Sequence, residues 1–286
     1  MKKILVTGAN GQLGSEMKAI AGNLSSYEFV FATREDFSLE DSFYISEYLE
    51  KLQPEYIVNC AAYTAVDKAE TERSTAETVN HTAVEAMAKW CHKNNAKFLH
   101  ISTDYVFDGN SAKALNENAA VAPINFYGES KLRGEEAAMR DNPTSIIIRT
   151  AWVYSEFGNN FVKTMMKLMS DRDSLNIVND QIGSPTYAGD LAKAILKIID
   201  SGVWHPGIYH YSNKGEISWF DFAEDIKEIA NLNCKLTGIP TTQYPTPAKR
   251  PAYSLLNTEK ISDIYQVEIP FYKDSLQKVI QKLQSN

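Results

Sequence analysis

The chain has 286 residues, of which 44% are hydrophobic and 23% charged, and carries a formal net charge of −7. That length fits one large α/β domain with a smaller lobe, and an acidic balance with no basic block argues against nucleic acid as a partner. No apolar run reaches the ~20 residues of a membrane span, the N-terminus runs straight into a strand pattern with no signal peptide, and Cys60, Cys91 and Cys234 show no CxxC spacing, so a cytoplasmic protein with reduced thiols and no membrane partner is expected.

Ile4, Leu5 and Val6 form a short apolar run that predicts a buried strand, and Gly8, Gly11 and Gly14 follow it at three-residue spacing, with Asn10 inside the turn. A helical pattern opens at residue 12 and runs to 24. Strand, glycine turn and helix together are the layout of a dinucleotide site. Gly8 permits the tight turn, Gly11 lets the backbone approach a pyrophosphate, and Gly14 lets the helix pack close to the sheet. The helix N-terminus offers free N–H groups to the phosphates. A second strand is predicted over 28–32, ending in Thr33, Arg34, Glu35, Asp36 and Phe37. This position meets the adenosine ribose. Arg34, with Thr33 beside it, points to a 2′-phosphate and hence to NADPH; Glu35 and Asp36 keep NADH open.

A helix over 38–52 follows, with Ser38 as its N-cap and Pro54 just past its end. The strand over 56–60 leads into Ala61 and Ala62, small enough for a cofactor to pass close to the backbone, while Cys60 reads as core. The helix over 75–94 contains Asn80, a poor helix former, which either faces solvent or, the favoured reading, hydrogen-bonds a neighbouring strand as structural support. A strand over 97–102 ends in Ser102 and Thr103; a helix over 126–140 and a very apolar strand over 145–149 complete a regular alternation. Such alternation predicts an α/β fold with a doubly wound parallel sheet of the Rossmann type. Beyond residue 150 the pattern loosens: helices over 159–171, 187–200, 219–231 and 273–283, and strand-like runs over 175–178 and 207–211, predict a smaller mixed α/β lobe. Residues 1–150 with 174–200 are assigned to cofactor binding, and 151–173 with 201–286 to a substrate lobe.

Tyr127 and Lys131 form the one Y-x-x-x-K in the chain, and positions i and i+4 share a helix face. About one chance match is expected at this composition, so the pentapeptide acquires meaning from the glycine turn and the Ser102-Thr103 strand end. Free tyrosine titrates near pH ~10; an ammonium held beside it is expected to lower that value. A tuned Tyr127 can give a proton to a ketone oxygen as hydride reaches the carbon. Lys131 also reaches the nicotinamide ribose, Thr103 polarises the carbonyl, and Ser102 supports the backbone with a share in the contact left open.

The glycine spacing with Tyr127 and Lys131 resembles the extended short-chain dehydrogenase/reductase superfamily. The runs Asn59-Cys60-Ala61-Ala62-Tyr63-Thr64-Ala65-Val66-Asp67, Ser102-Thr103-Asp104-Tyr105-Val106-Phe107-Asp108-Gly109, Arg149-Thr150-Ala151-Trp152-Val153-Tyr154, Gln181-Ile182-Gly183-Ser184-Pro185-Thr186 and Arg250-Pro251 narrow the resemblance. Together they are similar to the dTDP-4-dehydrorhamnose reductase family across most of the chain. The resemblance implies NAD(P)H-dependent reduction of a nucleotide 4-keto sugar to dTDP-L-rhamnose, with Thr103, Tyr127 and Lys131 catalytic. It implies that Gly11, Gln12, Leu13, Asp36, Phe37, Ala62, Tyr63 and Thr64 face the cofactor and that Thr64, Val66, Asp104, Tyr105 and Trp152 line the substrate side. Arg250 is a candidate for the substrate diphosphate. Some members of the family are dimers bridged by magnesium; Glu16 stands at a matching position, a lone glutamate otherwise read as a solvated helix residue, and the metal is left unassigned. A sugar dehydratase or epimerase is disfavoured by Tyr105, where a dehydratase carries glutamate, and by the lack of a cysteine beside Ser102 and Thr103. A non-catalytic regulatory subunit is disfavoured by the intact Thr103, Tyr127 and Lys131.

Overall fold

The computed structural model describes residues 1–285. The first half runs β1 (Lys2–Thr7), α1 (Gln12–Ile20), β2 (Tyr27–Ala32), α2 (Ser42–Leu52), β3 (Tyr56–Asn59), α3 (Val66–Ala69), α4 (Arg73–Glu77), α5 (Ala83–Asn94), β4 (Lys97–Thr103), α6 (Phe126–Asp141) and β5 (Ile146–Thr150). The second half runs β6 (Val153–Tyr154), α7 (Phe161–Asp171), β7 (Ser174–Val178), β8 (Ile182–Gly183), β9 (Thr186–Tyr187), α8 (Ala188–Asp200), β10 (Gly207–His210), β11 (Ile217–Ser218), α9 (Trp219–Ala230), β12 (Lys235–Ile239), α10 (Glu259–Tyr265) and α11 (Tyr272–Ser285). Six strands form one sheet in the order β10-β5-β4-β3-β1-β2, every pair parallel. The chain order reverses between β1 and β3, and the crevice outside the carboxyl ends of those strands is where open α/β sheets bind ligands.

The sheet is covered on both faces, which explains the unbroken apolar runs. Ile4, Val6, Ile146 and Ile148 pack with Met17 of α1 and Leu191, Ile195 and Ile198 of α8. Leu5, Ile57, Phe98 and Ile147 pack with Ile45 of α2 and Val84 and Met87 of α5 on the opposite face. A third cluster, including Tyr154, Val162, Phe222, Ile226 and Leu276, forms outside the sheet from α7, α9 and α11. Among the described residues no helix is long and apolar enough to cross a membrane.

Element boundaries differ from the sequence pattern where side-chain chemistry outweighs it. Helix α2 starts at Ser42 because the Asp41 carboxylate, not the Ser38 hydroxyl, accepts from the exposed N–H groups of Phe43 and Tyr44. The Ser38 hydroxyl instead closes a turn on the N–H of Glu40. Strand β7 pairs with β12 in a separate two-stranded sheet, whereas β10 adds to the edge of the main sheet against β5. Helix α8 packs on the main sheet, so residues 174–200 send their strand outward and their helix inward.

Between α4 and α5 the chain widens into one π-helical turn, Thr78–Thr82. Asn80 sits there fully buried. Its Oδ1 accepts from the N–H of Tyr63 at 2.9 Å, and its Nδ2 donates to the Tyr63 carbonyl at 3.1 Å and the Ser130 hydroxyl at 3.0 Å. Asn80 therefore braces the loop after β3 against α6, not a strand. Asn80→Leu keeps the volume but strands these partners, each at a cost of about 1–3 kcal/mol. A lower urea midpoint is expected, and an unchanged one would refute the bracing role.

Candidate active site

A cavity of about 1050 Å3 runs along the carboxyl ends of the central strands. At one end it meets the turn from β1 into α1. Gly8 there has φ +66°, and a side chain on Gly14 would place its Cβ 2.3 Å from the Gly8 carbonyl oxygen. Neither position admits another residue without moving backbone. The N-terminus of α1 is capped by no side chain, so its N–H groups stay available to an anion. Gly8, Gly11, Gln12 and Leu13 line this end. An uncapped helix N-terminus behind a turn with no room for side chains, continuous with a long cavity, fits a dinucleotide.

Thr33, Arg34 and Phe37 line the cavity at the end of β2. Asp36, expected to face a cofactor, turns away: its carboxylate accepts from the Thr33 N–H at 2.9 Å and hydroxyl at 2.7 Å. These hydrogen bonds hold it below the usual carboxylate range. Arg34 pairs with Glu40, which also lines the cavity. Ala61, Ala62, Tyr63, Thr64 and Val66 form the wall beyond β3. Asn10 and Gly14 do not line the cavity; Gly14 lies packed beneath the turn.

Ser102, Thr103, Asp104, Tyr105, Tyr127, Lys131 and Trp152 line the central and far parts. Helix α6 begins at Phe126 because Asn125 accepts from the Gly128 N–H at 2.8 Å, which sets Tyr127 in the first turn and Lys131 one turn later. Tyr127 meets Tyr105 edge-on at 5.6 Å between ring centroids. The Thr103 hydroxyl accepts from the Tyr105 N–H at 3.2 Å and donates to Asp104 Oδ1 at 3.1 Å.

The electrostatics depart from the sequence expectation at Tyr127. Burial pushes its phenol up to about 12; the Thr103 hydroxyl lowers it and Asp104 raises it. The Lys131 ammonium does not set this value, because it turns to the Ile101 carbonyl at 2.7 Å and to His100 Nε2 at 3.2 Å. Burial lowers Lys131 itself to about 8, with Glu135 and Cys60 pulling the other way. Burial also raises the Asp104 carboxyl to about 6, opposed by the Ser254 and Thr103 hydroxyls.

Two readings change. Arg250 does not reach the cavity: its guanidinium holds Asp67 through two bonds, at 3.1 and 2.9 Å, and donates to the Ala248 carbonyl. Glu16 is not solvated but 3% exposed, accepting from Ser155 at 2.6 Å and Tyr187 at 3.2 Å. The cation that acts on it, Lys282, is paired with Glu156. Among the described residues no group of three His, Cys, Asp or Glu could hold a metal ion. Sequence reasoning also missed Trp219, which stacks on Trp152 at 3.7 Å between ring centroids and lines the cavity with it. Trp152 takes φ +48°, a left-handed conformation that costs a bulky residue of order 1 kcal/mol or more and collects at functional sites. Tryptophans 67 positions apart give no local signal of this pairing.

Fold and site define an NAD(P)-dependent oxidoreductase of the short-chain dehydrogenase/reductase type. Residues 1–285 match the family described as RmlD substrate binding domain, and the chain belongs to that family, the dTDP-4-dehydrorhamnose reductases. It is 41% identical over 295 residues to the dTDP-4-dehydrorhamnose reductase of Escherichia coli (strain K12), covering 98% of this chain and 97% of that protein. The crystal structure of a dTDP-4-dehydrorhamnose reductase from Clostridium acetobutylicum superposes with a TM-score of 0.94 at 38% identity, covering 99% of both chains. The Bacillus anthracis dTDP-4-dehydrorhamnose reductase, solved in complex with NADP, gives 0.94 at 35% identity, covering 99% of this chain and 100% of that one.

Proposed function

We propose that this protein reduces the C4 ketone of dTDP-4-dehydro-L-rhamnose to dTDP-L-rhamnose, the last step in making that nucleotide sugar, with NADPH preferred over NADH. The observation that carries the reading is the convergence of Thr103, Tyr127 and Lys131 on one cavity with the glycine turn, in a chain of this family. NADPH, when bound, supplies the hydride. Tyr127 gives its phenolic proton to the carbonyl oxygen. A phenol raised to about 12 is fully protonated at neutral pH, and an alkoxide is a stronger base than the phenolate, so donation runs downhill in the reductive direction. The Thr103 hydroxyl rotates from Asp104 to bond the same oxygen. Lys131 holds the nicotinamide ribose, while Thr64, Val66, Asp104, Tyr105 and Trp152 contact the nucleotide sugar, with Trp219 stacked behind Trp152.

In this reading the main sheet with its covering helices, residues 1–150 with helix α8 and strand β10, holds the cofactor, and the remaining elements close over the sugar. The three free cysteines suit a reducing compartment, the cytoplasm. The test is consumption of NADPH and NADH, measured in parallel with dTDP-4-dehydro-L-rhamnose, and identification of the product. Formation of dTDP-L-rhamnose supports the reductase; cofactor binding without turnover on this ketone refutes it. Among the described residues Arg34 is the one cation lining the ribose end of the cavity. Arg34→Ala is expected to lower the NADPH-to-NADH ratio of kcat/KM about fivefold, the equivalent of ~1 kcal/mol. An unchanged ratio would remove Arg34 from cofactor selection.

A further inference from the structure

Lys131 is 1% exposed, so the three N–H bonds of its ammonium each need an acceptor. The Ile101 carbonyl takes one at 2.7 Å, and His100 Nε2 lies 3.2 Å away. His100 is fully buried on β4. Its Nδ1 is 2.9 Å from Asn59 Nδ2, and Asn59 Oδ1 accepts from the Thr7 hydroxyl at 2.6 Å. The Thr7 hydroxyl in turn accepts from the Ala61 N–H at 3.2 Å. A polar file therefore crosses β4, β3 and β1 inside the sheet, and a buried histidine in such a place owes its presence to its partners.

We propose that His100 is a positioning residue for Lys131: with the Ile101 carbonyl it holds the amine from behind, aims the remaining N–H into the cavity and supports the charged form. The chemistry this serves rests on the reductase reading, but the effect on Lys131 is measurable without substrate. Burial and the nearby ammonium keep His100 itself neutral. The file then has two states. With Asn59 Nδ2 donating to Nδ1, as in the structure, the ring proton sits on Nε2 and is given to Lys131 as a free amine, while Asn59 Oδ1 accepts from the Thr7 hydroxyl. With Lys131 charged, Nε2 accepts, Nδ1 carries the proton and the Asn59 amide turns over: its Oδ1 receives that proton, its Nδ2 donates to the Thr7 oxygen, and the Thr7 hydroxyl gives up its bond to Asn59. Leucine offers neither state. A charged donor loses more than a neutral acceptor when its partner is removed, so the His100→Leu change disfavours the ammonium. The other titratable groups acting on Lys131 are Glu135, one turn on in α6, and Cys60, beyond β3; both favour the charged form. Neither is altered by the substitution.

The test is the titration of Lys131 in ligand-free protein labelled with [13Cε]lysine, its signal identified by loss in Lys131→Met. The parent midpoint is expected near the lowered value of about 8. His100→Leu is expected to move it down by about one pH unit, a tenfold change in the proton equilibrium. His100→Gln, which can both accept and donate at the Nε2 position, is expected to restore most of the shift. The alkaline limb of kcat should follow the same order. Equal midpoints in parent and His100→Leu, or equal effects of leucine and glutamine, would overturn the proposal. A second measurement needs no variant: 15N spectra of His100 in the parent should show the ring proton changing nitrogen as Lys131 titrates, and a single tautomer throughout would equally overturn it. If Lys131 and His100 behave as stated while no ketone is reduced, the reductase reading fails and the positioning role stands.

Discussion

Replacing Tyr127 by phenylalanine is expected to lower kcat by about 10²–10⁴ while leaving the dissociation constant of NADPH nearly unchanged. The ring is buried and meets Tyr105 edge-on, a contact that phenylalanine keeps, so the change removes the hydroxyl and little else. Because burial holds the phenol at about 12, its proton-donating form persists through the neutral and moderately alkaline range. The sign follows: raising the pH from 7 to 10 does not deplete this acid. An alkaline loss of activity in the parent near pH 8 belongs instead to Lys131, whose ammonium burial weakens to about 8. Stopped-flow or steady-state turnover with a fluorescence titration of NADPH separates the two quantities. Retained turnover in Tyr127→Phe would remove the tyrosine from proton delivery.

The residues that announce themselves in sequence are those whose spacing follows local geometry. Gly8, Gly11 and Gly14 are set by one turn, and Tyr127 and Lys131 by one helical repeat, so both sets are legible before any tertiary contact is known. The strands of the main sheet are legible for a related reason: burial on both faces leaves Ile4 to Val6 and Ile146 to Ile148 without polar interruption. What escapes is set across the fold. His100 stands among Phe98, Leu99 and Ile101 with no local spacing that links it to Lys131, and only α6 brings Lys131 to its Nε2. Asn80 reads as a weak point in a helix until the π-helical turn aims it at Tyr63 and Ser130. Arg250 misleads for the same reason: its charge suits a ligand, yet Asp67 takes it, and Glu16 reads as a solvated helix residue until Ser155 and Tyr187 close over it. The expectation that Lys131 lowers Tyr127 fails because helical spacing fixes Cα positions, not where a long amine finds its acceptors.

The largest stability effect is expected at Glu135, the next residue on the face that carries Tyr127 and Lys131. Its carboxylate accepts three hydrogen bonds from Arg149, the shortest at 2.6 Å, with both side chains at most 3% exposed. The Arg149 guanidinium also lies 5.1 Å from the centre of the Phe107 ring, and its Nη1 has no hydrogen-bond partner among the described residues. Glu135→Gln leaves that charge buried without its counter-ion, a change that costs about 3–5 kcal/mol, or roughly 6–20 °C in Tm for a chain of this size. The paired replacement Glu135→Leu with Arg149→Met removes both charges and is expected to recover most of the loss, since a buried ion pair offsets little more than its own desolvation. Thermal melting of the three proteins decides: a Glu135→Gln variant as stable as the parent would refute the argument. The pair also has a place in the site. Arg149 lies opposite Ser102 in the β4–β5 register, so the bond to Glu135 ties the helix bearing Tyr127 and Lys131 to the strand pair that ends in Thr103. The double variant separates the two consequences. If it melts like the parent yet turns over more slowly with unchanged KM, the ion pair serves chiefly to fix the helix against the strand, because the hydrophobic replacement restores the packing energy but not the direction that three hydrogen bonds impose.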